Sequence, residues 1–86
     1  MKVIFEGIEL NVHQNGTIQI EDKDLTPLAD VDGYLKVCIN NQYYKVQNII
    51  AMVYFDFELS DKSRKVTHIN KDKTDNSVDN LCIKRV

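Results

Sequence analysis

Ile8, Leu10 and Val12 alternate with Glu9 and Asn11, the two-residue period of a half-buried strand. Residues 2–5 form a shorter strand before it. Asn15-Gly16 supplies the positive φ angles of a tight hairpin turn, and Thr17 to Ile20 resumes the alternation. From Asp22 to Asp32 the period is lost in an acidic connection that holds the only proline, Pro27, with Leu25 and Leu28 as its anchors. A second hairpin follows. Leu35, Val37 and Ile39 share one face of a strand over Tyr34 to Asn40, and the turn Asn40-Asn41-Gln42 leads into Tyr43 to Val46. The period then changes to that of a helix: Val46, Ile49, Ile50, Val53, Tyr54 and Phe57 make one apolar stripe that ends near Glu58. A charged loop, Leu59 to Lys65, precedes a strand over Val66 to Ile69 and a last short strand over Leu81 to Val86. The fold class expected is α+β, with antiparallel β-hairpins packed on one central helix and a single domain spanning residues 1–86.

Composition agrees with a folded chain: 43% of residues are hydrophobic, and Tyr and Phe supply seven aromatics. No apolar run has membrane-spanning length, and Glu6 interrupts the first apolar residues too early for a signal peptide. A cytoplasmic protein without membrane contact is the expectation. In that setting Cys38 and Cys82 act as small buried hydrophobes. With His13 and His68 they could make up a four-ligand zinc set, but none of the four falls in the close pairs that zinc sites use. His13 reads as a surface residue.

The net charge of −2 lacks the basic surplus of a dedicated nucleic-acid binder. It is unevenly spread. Residues 1–43 hold three Lys against seven Asp and Glu, and residues 44–86 hold eight Lys and Arg against six acids, so the second half is net positive. Polyanion contacts are therefore expected from Lys62, Arg64, Lys65, Lys71, Lys73, Lys84 and Arg85, with an ordinary solvated surface as the competing reading.

The most informative stretch runs from Thr67 to Leu81. An apolar-flanked histidine, His68, meets a polar loop of Asn, Asp and Lys, and Val78 and Leu81 return the chain to the core. Asn and Asp suit such a loop because their short side chains bond nearby backbone and tolerate left-handed conformations. His68 and Asn80 can serve there simply by satisfying backbone groups of the loop.

The order of Asn15-Gly16-Thr17, Asp32 to Val37, Tyr43 to Val46, Ile49-Ile50-Ala51 and Thr67 to Leu81 resembles the HNH homing endonucleases of phages and mobile elements. The resemblance covers most of the chain and is best over 66–81. It implies a ββα metal finger that cuts DNA, with His68 as the general base and Asn80 steadying the loop and orienting the histidine. Mg2+ or another divalent metal would neutralise charge on the scissile phosphate.

Several positions depart from that pattern. Thr67 stands where the family has a metal-ligating Asp or Asn, Gln47 where it has a histidine at the helix start, and Lys71 where it has a glycine. Only six residues follow Asn80, too few for the helix that presents the other ligand. The resemblance thus implies a truncated, degenerate core with no metal ligands and no cofactor. The function expected is that of a non-catalytic module binding DNA or a protein. The alternative is an endonuclease active only when a partner or second copy supplies the missing ligands.

Overall fold

Three small antiparallel sheets surround one short helix in the computed structural model, which describes all 86 residues. The first sheet is a meander of β1 (Lys2–Phe5), β2 (Ile8–Val12), β3 (Ile18–Ile20) and β4 (Lys23–Asp24). Its register sets Val3 opposite Leu10 and Val12 opposite Ile18, so one face is apolar. In the β2–β3 connection only Gly16 is left-handed; its N–H returns to His13 O at 3.0 Å, and Asn15 Oδ1 accepts the Thr17 N–H.

The second sheet orders β5 (Leu28–Ala29), β6 (Leu35–Ile39) and β7 (Gln42–Lys45). Asn40 and Asn41 join β6 to β7 with φ of 52° and 65°, the two left-handed residues that the twist of a two-residue hairpin requires. The third sheet is the hairpin of β8 (Arg64–His68) and β9 (Leu81–Arg85). Helix α1 (Val46–Tyr54) packs on the second and third sheets. One cluster of twelve buried residues joins all of these, with Leu10, Val12, Ile39, Ile49 and Ile50 almost fully enclosed. Tyr54 ties the helix to the meander by donating to Val12 O at 2.6 Å.

The helix is rich in β-branched residues, each costing roughly 0.5 kcal/mol of helix preference relative to alanine. Full burial of an isoleucine contributes about 1.5–3 kcal/mol, so burial of Ile49 and Ile50 decides the outcome. No helix in the chain is long and apolar enough to cross a membrane.

Several expectations need correction. The helix ends at Tyr54, not near Glu58: Asp56 turns left-handed at φ 55°, and the Phe55 and Phe57 N–H groups both return to Ala51 O. Phe57 still reaches the core, from non-helical backbone. Val46 opens the helix instead of closing a strand, and β8 begins at Arg64, inside the stretch read as a charged loop. The acidic connection contains β4 and β5. Within it Leu25 packs on the core, but Leu28 is 52% exposed and anchors nothing. Cys38 is exposed on the outer face of β6, because the strand turns Val37 and Ile39 inward. His13, in turn, is half-buried, with Nε2 2.8 Å from Gln19 Oε1.

Candidate nucleic-acid interface

His68 ends β8, and the loop from Ile69 to Ser77 is built from side chains that bond backbone two residues ahead. Asn70 Oδ1 accepts the Asp72 N–H, Asp72 Oδ1 the Thr74 N–H, and Asp75 Oδ1 the Ser77 N–H. These Asx turns explain why Asn and Asp dominate the stretch. The bonds from the Thr74 hydroxyl and amide hold the Asp72 carboxyl below the usual carboxylate range, and the charge of His68 acts in the same direction.

Asn80 crosses the base of the loop. Its Oδ1 accepts the Asn70 N–H at 2.9 Å, its Nδ2 donates to Asp75 O at 2.8 Å, and its backbone O accepts the Ile69 N–H. Its side chain thus braces the loop and makes no hydrogen bond to the imidazole. The partner of the ring is Asn76: His68 Nε2 lies 2.7 Å from Asn76 Oδ1. An amide oxygen only accepts, so Nε2 donates to it, and in the neutral ring Nδ1 has the lone pair. Asn76 is 3% exposed, and its Nδ2 has no partner in the chain.

Two other segments clamp the loop. Val78 N–H donates to Gln14 O, and Gly16 lies so close that a Cβ there would sit 3.0 Å from the backbone C and O of Asn76. On the other side Lys73 Nζ donates to Asp32 O at 2.7 Å, and the Tyr34 ring lies 5.8 Å from the imidazole, centroid to centroid.

Between these walls is an open cleft of about 340 Å³, lined by Tyr34, Lys65, Thr67, His68, Lys71 and Lys73. Lys73 and Lys45 both place Nζ over the Tyr34 ring, at 4.7 and 4.4 Å. Lys71 takes a left-handed φ of 65°. Of the seven cations expected to act, Lys65, Lys71 and Lys73 meet here. Arg85 and Lys84 lie across the hairpin, directly opposite Arg64 and Lys65, and Lys62 is exposed in the preceding loop. Like charges set opposite one another in a ladder repel, and Lys36 opposite Lys45 is a third such pair. Tyr34 and Lys45 were missing from the sequence-based set.

Asp61 organises the approach to β8. Its carboxylate accepts from the Ser63 hydroxyl, Arg64 Nε and the Ser63 N–H, each within 2.8 Å, and these bonds lower its pKa from 3.8 to about 2. A depressed carboxyl stabilises the fold above its unfolded pKa, and that contribution fades as pH falls through the folded value. Asp61→Asn should therefore lower the urea midpoint at pH 6, with the gap to the parent closing between about pH 4 and pH 2. An equal gap at both ends would show that the carboxylate charge is not its source.

A divalent ion finds few ligands among these groups. No three His, Cys, Asp or Glu side chains converge in the chain, the Thr67 hydroxyl donates to Cys82 O at 3.2 Å, and His68 Nε2 is taken by Asn76. The donor set present does not fit a bound divalent metal.

No family model matches this sequence, and no curated protein matches it. Among solved structures, the chain is similar to one described as DNA binding and cleavage by the HNH homing endonuclease I-HmuI. The TM-score is 0.78 at 19% identity, over 99% of this chain and 52% of that one, so this chain spans about half the length of its neighbour. The residues around His68 thus stand on an α+β scaffold with the fold of an HNH endonuclease.

Proposed function

We propose that this domain is a DNA-binding module on an HNH-like scaffold, with the cleft beside His68 receiving the phosphodiester backbone. One observation carries the reading. In a chain of net charge −2, three lysines, Lys65, Lys71 and Lys73, line one open cleft together with an imidazole and an aromatic ring. The loop's own acids face a different task, since Asp72 and Asp75 are engaged in turn bonds. The neighbour of like fold is described as binding DNA, which supports the same partner. The reading is non-catalytic: a base at His68 without a metal leaves the charge on the leaving oxygen uncompensated.

The test is the salt dependence of duplex binding, read by fluorescence anisotropy. Three phosphate contacts give a slope of log K against log salt of about −3, and Lys71→Gln/Lys73→Gln should flatten it to about −1. A salt-independent affinity, or one untouched by the double substitution, would point to a protein partner instead.

The bond between His68 and Asn76 favours one second reading. With Nε2 donating to the amide oxygen, the neutral ring has Nδ1 as its basic atom, the state a general base requires. An endonuclease completed by a partner or second copy would nick the duplex in the same assay once Mg2+ is added.

A further inference from the structure

Asn15-Gly16 is the one place in the chain where asparagine precedes glycine; the other seven asparagines precede Val, Asn, Gln, Ile, Lys, Ser or Leu. Asn15 is exposed, and its Oδ1 accepts the Thr17 N–H at 3.0 Å. That bond draws electron density from the side-chain carbonyl, and an Asx turn of this kind folds the carboxamide back over the peptide nitrogen that follows. Glycine leaves this nitrogen open to approach, because no Cβ stands beside it. Its proton is held by His13 O at 3.0 Å, a single turn bond that local opening frees. Asn76, which precedes the small residue Ser77, is by contrast 3% exposed and tied to His68.

We propose that Asn15 is a site of spontaneous deamidation, and that the product releases His68 from its anchor. The Gly16 nitrogen attacks Asn15 Cγ and its proton passes through solvent to Nδ2. The Cγ–Nδ2 bond breaks, and ammonia departs from a cyclic succinimide. Water then opens the ring. Addition at the main-chain carbonyl gives isoaspartate, in which the backbone runs through Cβ and Cγ; addition at Cγ gives aspartate. The reactants are the chain and water alone. Both products gain a negative charge, but only isoaspartate lengthens the backbone, by about 1.5 Å.

The turn has no slack to absorb that length. A Cβ on Gly16 would already sit 3.0 Å from the backbone C and O of Asn76, and Gln14 O, just before the reacting residue, holds the Val78 N–H. The shift therefore reaches Asn76, whose Oδ1 holds the imidazole. This chemistry gives the His68 cleft a finite working life.

The experiment ages the full chain in mildly alkaline buffer, folded and in urea, and locates deamidated residues by proteolysis and mass spectrometry. Asn15 is expected to be lost first in both samples, with isoaspartate as the larger product. In the aged folded sample the His68 ring signals should shift, and amide exchange at Val78 should accelerate. Asn15→Ser keeps an oxygen for the Thr17 N–H but cannot cyclise, so its His68 signals should hold through the same incubation. Freshly made Asn15→Asp supplies the charge without the extra backbone and should leave His68 in place.

Asn15 that survives in the folded chain while it is lost in urea would overturn the site. Isoaspartate at position 15 with unmoved His68 signals would overturn its link to the loop. So would a displaced His68 in fresh Asn15→Asp, which would assign the effect to charge.

Discussion

Gly16→Ala is expected to destabilise the domain by about 3 kcal/mol, measured by urea denaturation. Two costs combine. At φ +95° an L-residue is strained, and the new Cβ would sit 3.0 Å from the backbone C and O of Asn76. That backbone cannot yield freely, because Asn76 holds the imidazole and Val78, two residues on, is bonded to Gln14 O. Gly7 offers the comparison. Its φ is +75°, but nothing lies within 4 Å of its Cβ position, so Gly7→Ala carries only the conformational cost of roughly 1–2 kcal/mol. Equal losses at the two positions would show that the contact between the meander and the polar loop contributes little. A larger loss at Gly16, accompanied by displaced His68 ring signals, is the outcome the packing requires.

Asn80→Ala should cost about 1–3 kcal/mol, since it leaves two part-buried backbone groups without partners at once. The Asn70 N–H loses its acceptor and Asp75 O its donor, in a site where Asn80 itself is only 7% exposed. Amide hydrogen exchange at Asn70 reports the effect directly and should accelerate well beyond the global change in stability. Asn80→Asp retains an acceptor for Asn70 but sets a carboxylate against Asp75 O, so it rescues little. A loss below about 0.5 kcal/mol in the alanine variant would remove Asn80 from its place as the brace of the loop.

Both substitutions probe contacts that sequence patterns reveal unevenly. The hairpins are legible because alternation over four or five residues leaves one register that buries Leu10, Val12, Val37 and Ile39. The helix end is not. The apolar stripe continues to Phe57, and a left-handed Asp56 that breaks the helix while keeping Phe57 buried leaves no trace in periodicity. β4 and β5, two residues each, are too short to show any period.

The site divides in the same way. His68 and the polar loop stand out in the chain, but the loop offers several amides and carboxylates, and spacing does not say which one meets the ring. Asn76 does so because Gly16 and Gln14 press and tether its segment from another sheet. Tyr34 belongs to the cleft, and Lys45 reaches its ring, only through tertiary packing, and charge counting along the chain has no means of placing them there.

The left-handed Lys71 has a wider consequence. It keeps a backbone shape that glycine adopts freely, at the position where the resembling enzymes carry glycine, so the chain accepts local strain of about 1 kcal/mol with a lysine at the edge of the cleft. Glycine there would relax the loop and discard the charge, setting backbone ease against surface charge at one residue. Any programme that selects this domain for heat tolerance alone would drift toward glycine at 71 and thin the positive charge of the cleft along the way.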